Sequence, residues 1–600
     1  MSQRSLAIAA LLIVLAPLLR PALLPGADAL RLRARASYLA GIPILIRVEA
    51  LDASGRPDHL LWDAVATLEV ASGAVTLQPD RIPLRNGQGS ALVSVSGSGD
   101  FTLRATLGAL EAVRPVRALL DGGAPPVSGE LPSGNVVWSG IVRVTGDVIV
   151  GTATTLHVRP DTLVLLAGTP SGDDGTSIIV NGAIEVEGTE SEPVSFTADA
   201  PGRNWGEIFH DHASPSTYRH AAITRGGHSP RGGHTNTGPT LRVEDSALEL
   251  EDVTLSDAGG KAMEADDAEL VLRRCHISRC VMGPEIDDSA VLVDECLISE
   301  MFGADDNDGI YIHSQAAGQE VLLKRTVVAA GDDDGIDTLG AEITVEDCIA
   351  RDFADKGASL FHGPTTFRRF LSVDNGIGIS AKTDDGVHMP ISIDHATLAG
   401  NAIGIAAEDK NDQPLADIRY TIENSIIRAS NRAIETDYDP SNISISFSDV
   451  EGSWPGEGNF DADPEFVDAS ARDFRLGPGS PCIDRGDPDA TADADGSRPD
   501  LGSIPFAGAP APRFVRGFID NDDALDVGDA VTALFHLFLE RPLPCPAAID
   551  VDDDEVATLA DVLLLLDYVF LEGPPPAAPF PACAADPTPG GLPCTAPAGC

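Results

Sequence analysis

The chain of 600 residues carries 92 acidic against 41 basic side chains, a formal charge of −51. Such a surface repels phosphate, which argues against nucleic acid or an anionic membrane as partner and favours cations, calcium first. Hydrophobic residues make up 43% of the chain, enough for packed cores, so wholesale disorder is excluded, and the length allows roughly three to five domains.

At the N-terminus, Arg4 precedes an apolar run from Leu6 to Leu19, Arg20 and Pro21 end it, and Ala27-Asp28-Ala29 follows. A positive flank, a run too short to span a bilayer and an A-x-A-like end predict a signal peptide over residues 1–29. The mature chain is therefore expected to be secreted or at the cell surface, with no membrane span. Export permits oxidation of the nine cysteines, an odd number that leaves at least one outside an intramolecular pair.

Residues 30–120 alternate with period two in short runs, among them Ile44 to Ala50, Ala66 to Val70, Ser90 to Val95 and Phe101 to Leu107. Alternation broken by Gly, Asp and Pro predicts antiparallel strands in a small β-sandwich. The segment resembles a bacterial immunoglobulin-like module and carries no catalytic constellation, which makes it a spacer. Gly122 to Gly134, rich in Gly, Pro and Ser, reads as a linker over 121–134.

Residues 135–510 repeat. Leu248-Glu-Leu-Glu-Asp-Val-Thr-Leu aligns with Leu270-Val-Leu-Arg-Arg-Cys-His-Ile, Val291-Leu-Val-Asp-Glu-Cys-Leu-Ile and Ile343-Thr-Val-Glu-Asp-Cys-Ile-Ala, and the series runs on to Tyr420-Thr-Ile-Glu-Asn-Ser-Ile-Ile. A second column, including Asp308-Gly-Ile-Tyr-Ile, Asp334-Gly-Ile-Asp and Asn375-Gly-Ile-Gly-Ile, lies between these segments. Two short strands per repeat cannot bury an apolar face alone, but stacked in a solenoid they share a continuous core. The predicted fold is mainly β, a right-handed parallel β-helix. The segment resembles the right-handed β-helix repeat family, whose fold is shared with pectin and pectate lyases. The closing stretch, Asp463-Pro-Glu-Phe-Val-Asp to Asp500-Leu-Gly, resembles the family's usual end.

Three features of this segment offer chemistry. Asp308, Asp334 and Asp355 fall on neighbouring rungs, roughly 5 Å apart, with Asp305, Asp306, Asp332, Asp333 and Asp337 nearby. Crowded carboxylates repel unless protonated or bridged by a cation such as Ca²⁺. With Ca²⁺ bound, Lys356, Lys382 or Arg351 would serve as the base of a polysaccharide lyase, the scheme that the resemblance implies. Paired carboxylates would instead serve a glycoside hydrolase. The catalytic candidates are Asp334, Asp355 and Lys356, although Asp-Gly repeated at a repeated turn has a purely structural reading. The histidines His210, His212, His220, His228 and His234 crowd a Gly-rich stretch that reads as an exposed loop, with zinc or copper as the alternative. Cys275, Cys296 and Cys348 share one inward position and read as packed thiols, with a Cys275–Cys296 disulfide as the alternative.

Residues 511–600 form a small α-helical module. Its second acidic loop has oxygen-bearing side chains at positions 1, 3, 5, 9 and 12, Asp550, Asp552, Asp554, Thr558 and Asp561, with the Val556 carbonyl at position 7. That spacing wraps oxygens around calcium, as in an EF-hand. The first loop keeps Asp520, Asp522, Asp526 and Asp529 but has Phe518 at position 1, so it is expected to be degenerate. Position 6, normally Gly, is Asp523 in the first loop and Glu555 in the second. Both loops lead directly into apolar helices ending in Phe-Leu-x-x-Pro, and the tandem resembles a dockerin. The resemblance implies Ca²⁺ as cofactor and docking to a cohesin-like or cell-surface partner. One disulfide is expected among Cys545, Cys583 and Cys594.

Three functions follow as expectations: a non-catalytic, polysaccharide-interacting surface protein, a polysaccharide lyase or glycoside hydrolase acting through the acidic stack, or an adhesion or structural repeat protein.

Overall fold

The structure, a computed structural model, describes residues 27–170, 175–303, 306–383, 387–409, 417–437, 439–508, 513–520, 522, 524–586, 592 and 594. Residues 1–26 of the expected signal peptide, Asp305 and Asp523 therefore lie outside the described residues. Among those described, no helix is long and apolar enough to cross a membrane. The chain divides into two units at Leu119/Leu120.

The first unit is an antiparallel β-domain. Ala29–Ala34, Ile44–Leu51 and Gln88–Gly97 pair in that order, as do Arg81–Arg85, Asp63–Ser72, Phe101–Leu107 and Leu110–Leu119. The predicted alternation is clear in Phe101–Leu107, whose Phe101, Leu103, Ala105 and Leu107 are buried in one core. Ile44–Leu51 differs, because both its faces are buried, the second through Arg47 and Glu49.

The second unit begins with a parallel β-helix. Most rungs contribute three strands, and each strand pairs in parallel with its counterpart on the next rung. Glu269–Arg273, His276–Ser278 and Met282–Asp287, for example, pair with Ala290–Asp294, Leu297–Met301 and Ile310–His313. On the first face the ladder Leu250, Leu272, Val293, Leu323, Val345, Phe367, Ile393 and Ile422 runs unbroken through the core and reproduces the sequence repeat position by position. Pro126–Glu130, within the expected linker, already pairs with Ile141–Val150, so the helix starts earlier than its composition suggests.

Three strands per rung correct the expectation of two. The missed strand follows a one-residue corner. Asp252, Arg274, Glu295, Arg325, Asp347, Arg369, His395 and Asn424 all have left-handed backbones at this corner. One such residue turns the chain sharply without a loop, which composition cannot reveal. The residue after the corner points inward, and here the cysteines sit. Cys275 N–H donates to Cys296 Sγ (3.3 Å), Cys296 N–H to Thr326 Oγ1 (3.3 Å), and Ala396 N–H to Ser425 Oγ (3.0 Å). Cys, Thr and Ser are interchangeable at this position because each is small and offers an acceptor to the neighbouring rung. Cys275, Cys296 and Cys348 are buried thiols, so a Cys275–Cys296 disulfide is not formed.

Just before the corner, on the outer surface of the first face, the charge alternates from rung to rung. Glu187, Arg219, Glu251, Arg273, Asp294, Lys324, Glu346, Arg368 and Asp394 are successive register partners. Opposite charges on paired strands favour this register, and a slip of one rung would set like charges together.

The β-helix closes with the hairpin Phe466–Asp468/Asp473–Leu476 and a segment whose Leu476, Cys482, Ile483 and Leu501 pack with Ile426. Beyond it lie helices α1 (Val527–Leu539) and α2 (Leu559–Leu571), each opened by a capping box, Asp526/Asp529 and Thr558/Asp561. Cys545 is bonded to Cys594.

Candidate functional site

The acidic stack lies at the entry to the third face. Gly309 N–H donates to Asp334 O and Gly335 N–H to Lys356 O, both at 2.8 Å, which sets the register Asp308, Asp334, Lys356. Lys356, not Asp355, thus occupies the third position, and Asp355 precedes it at the rim with a half-exposed carboxylate. The Asp-Gly pairs are not left-handed turns. A Cβ on Gly309 would lie 2.5 Å from Gly335 O, and one on Gly335 2.6 Å from Gly357 O, so these glycines allow close backbone stacking.

Hydrogen bonds tie the stack together. Asp308 Oδ1 accepts from Asp334 N–H (3.3 Å) and Asp334 Oδ1 from Lys356 N–H (3.0 Å), while Lys356 Nζ pairs with Asp334 Oδ1 (3.3 Å) and with Asp355. The next outward position along the third face runs Arg242, Glu264, Glu285, Tyr311, Asp337, Ser359 and Ser380. A cleft of about 340 Å³ opens where these rows meet, lined by Asp334, Asp355 and Lys356 together with His234, Tyr311, Asp337, Phe361 and Lys382.

Burial dominates the electrostatics. Asp337 is pushed up to about 7 by burial and by the Asp334 charge, and Asp334 to about 6 by burial against the pull of Lys356. Burial and the neighbouring Asp337 and Asp334 raise Asp308 well above the usual carboxylate range. Lys356 moves the other way from what a base needs: burial opposes its charge, but Asp334 and Asp355 outweigh burial and raise its pKa. Lys382 is lowered, by burial and by Lys356. Lys356 thus stands as a cation between two carboxylates, an arrangement that holds its proton, whereas the role of base needs a lowered pKa. Arg351, also weighed as a base, is buried and paired with Asp352 (2.7 Å).

The sequence gives no signal for Tyr311 as a site residue, and it places His234 in an exposed loop rather than at the acidic stack. The His-rich loop is not simply exposed: Lys261 Nζ donates to Gly232 O (2.8 Å), and His234 N–H donates to Glu285 Oε1 (2.9 Å). The His234 ring stacks on Tyr311, centroids 4.3 Å apart, and its Nε2 lies 3.6 Å from Asp308 Oδ2. The available signal was lysine usage: of only five lysines in the chain, Lys356 and Lys382 line this cleft and Lys261 holds the loop that carries His234. The remaining histidines do not join it. His210 is buried against Tyr218 (3.1 Å), and His212 is exposed beside Asp211 and Asp245.

In the C-terminal module, ligand atoms of Asp550, Asp552 and Asp561 lie within 4.8 Å of one another, a donor set that fits calcium. Asp554 Oδ1 accepts from Val556 N–H (3.0 Å) and the Thr558 hydroxyl donates to Asp561 (3.0 Å), so these two expected ligands serve the loop's own shape. The Val556 side chain faces solvent. Arg516 Nη1 approaches Asp550 Oδ2 (3.3 Å) and would share it with any ion. Glu555, at the position normally held by Gly, has φ 68°, a left-handed backbone that is strained for a residue with a side chain. In the first loop Asp529 accepts from Ile519, Asp520 and Asp526 N–H groups. Asp520 accepts from Asp522 N–H and Asp526 from Gly528 N–H. Among the described residues these four carboxylates form no converging set.

No family model matches the chain, and no curated protein is similar to it. Among solved structures it is similar to the periplasmic alginate epimerase AlgG, at TM-score 0.32 and 9% identity over 50% of this chain and 76% of that one. It is also similar to the catalytic domain of a GH87 α-1,3-glucanase in complex with tetrasaccharides, at TM-score 0.33 and 8% identity over 68% of this chain and 90% of that one. At this level of similarity the parallel β-helix rests on the strand pairing of the chain itself.

Proposed function

We propose that the protein binds a neutral polysaccharide along the third face of its β-helix and hydrolyses it in the cleft. One observation carries this reading: oxygens of Asp333, Asp334 and Asp355 converge within 4.8 Å in a cleft flanked by the rings of Tyr311 and Phe361. One oxygen of each lies no more than 4.8 Å from the others, too close for the water that an inverting pair holds between carboxylates roughly 6.5–9.5 Å apart, so the retaining arrangement is favoured. Aromatic faces pack against the apolar faces of sugar rings. Buried Asp334 protonates the departing glycosidic oxygen while Asp355 at the rim attacks the anomeric carbon, and a water deprotonated by Asp334 then displaces the sugar from Asp355 and restores both carboxyl groups. Lys356 positions both. A charge of −51 favours a neutral glycan over a polyuronate.

Incubation with a panel of neutral glucans, mannans and xylans should release reducing ends, abolished by Asp355→Asn and reduced by at least ~100-fold in Asp334→Asn. Absence of new ends across the panel would reject hydrolysis. Unsaturated products from a polyuronate would replace it with elimination, for which Lys382 is the better placed base.

For the C-terminal module we propose calcium at the second loop and docking of a secreted protein to a cohesin-like or cell-surface partner. Support comes from apolar residues left in solvent on both helices: Val527, Val531, Phe535 and Phe538 on α1, and Leu559, Leu563 and Phe570 on α2. Mixing with cohesin domains, with calcium or with chelator, tests it by calorimetry.

A further inference from the structure

The floor of the cleft holds a second group of ligands, distinct from the Asp334/Asp355 pair. His234 comes from the loop strapped across the third face, Asp308 from the turn before Ile310–His313, and Asp337 from Ile336–Leu339 on the next rung. One ligand atom from each lies within 4.8 Å of the others.

Two observations make this more than a crowd of acids. Asp308 is only 1% exposed, and its Oδ2, directed towards His234, accepts no hydrogen bond. A buried carboxylate oxygen without a donor is destabilising, so native structures rarely retain one without a ligand to satisfy it. His234 is also held from outside the group, by its N–H on Glu285, by Lys261 on Gly232 of the same loop, and by its stack on Tyr311. A metal-binding imidazole is commonly oriented by partners of this kind.

We infer that His234, Asp308 and Asp337 form a binding site for a divalent transition-metal ion, with zinc as the best fit. An imidazole with two carboxylates suits zinc, whereas calcium takes oxygen ligands alone. Bonds of 2.0–2.1 Å in a tetrahedron place neighbouring ligand atoms about 3.3 Å apart, close to the 3.6 Å between His234 Nε2 and Asp308 Oδ2. Three protein ligands leave a fourth position on the side of Asp306, whose Oδ1 lies 3.5 Å from His234 Nε2, and there Asp306, water or a sugar hydroxyl would bind. The ion would offset the repulsion between Asp308 and Asp337. This site involves none of the side chains assigned to hydrolysis and stands whether or not the cleft turns a glycan over.

The test is zinc titration by calorimetry of the full chain, stripped with chelator and then held in saturating calcium to fill oxygen-only sites. The wild type should bind one zinc ion that His234→Ala and the near-isosteric Asp308→Asn each abolish, while His212→Ala, at an exposed histidine elsewhere, leaves it intact. Zinc-edge X-ray absorption should show one imidazole among oxygen ligands. Zinc binding that is absent, displaced by calcium, or unchanged in His234→Ala would overturn the assignment, and circular dichroism of the variants confirms that they are folded.

Discussion

Glu49 and Lys356 show how a charged residue is kept inside this protein. Glu49, 1% exposed, meets Arg31 at 3.2 Å, Arg33 at 3.1 Å and Arg47 at 2.5 Å. Burial alone would raise its pKa, but the three guanidinium groups outweigh burial and hold it at about 2, below the ordinary 4.5. A carboxylate lowered on folding stabilises the domain fully above pH ~4.5, and that contribution is lost as pH falls towards 2. Glu49→Gln should destabilise the first unit by about 3 kcal/mol, because three cations lose their common partner. Hydrogen exchange in peptides spanning 44–51 of the full chain checks this, and protection equal to wild type at pH 7 would refute it. In Lys356 the balance of burial and charge serves a site instead. Both residues stand where sequence alone predicts something else: Glu49 on a face expected to be solvated, Lys356 beside the acidic stack rather than in it.

At the scale of the strand, the apolar ladder supplies the burial and the charge ladder supplies the register. Leu323 lies fully buried between Val293 and Val345, and Leu323→Ala should destabilise the β-helix by about 2–5 kcal/mol in thermal or urea unfolding. The charge ladder acts more weakly, since its side chains are partly solvated. Arg273→Glu, which sets three acids in succession between Glu251 and Asp294, should destabilise by about 1 kcal/mol. The effect should exceed that of Arg273→Ala and shrink in about 1 M salt, where exposed charges are screened. Equal melting temperatures for the two variants at low salt would remove the charge ladder from the account of register. The apolar half was legible because stacked rungs repeat their inward residues. The alternation of sign was equally present in the sequence, but it appears only when rungs are aligned in pairs.

Across the whole molecule, the acidity divides into carboxylates that converge and carboxylates that are paired with basic neighbours. Carboxylates converge at the cleft and at the second C-terminal loop, while the ladder acids are balanced by Arg and Lys on adjacent rungs. The second C-terminal loop should bind calcium with modest affinity, because Arg516 shares Asp550 with the ion. Calorimetry of the full chain should show this calcium site, lost in Asp550→Ala and retained in Asp522→Ala, because Asp522 belongs to the loop whose carboxylates do not converge. An isotherm unchanged by Asp550→Ala would refute the ligand set.

What the sequence determined by itself was the repeat, and with it the parallel coil. Periodicity records which positions face the core, and each rung faces nearly the same core as the last. The acidic stack and the tandem loops were also readable, since each depends on residues close in the chain. Only the tertiary structure decided the corner, the third strand and the composition of the cleft. A left-handed corner residue has no compositional signature when Asp, Glu, Arg and His all fill it. The cleft joins His234 to Asp308 and Asp337 across more than 70 residues, through a loop whose position depends on Lys261 and Glu285. Such a meeting is set by how rungs stack and where a loop is tied, which no local pattern encodes.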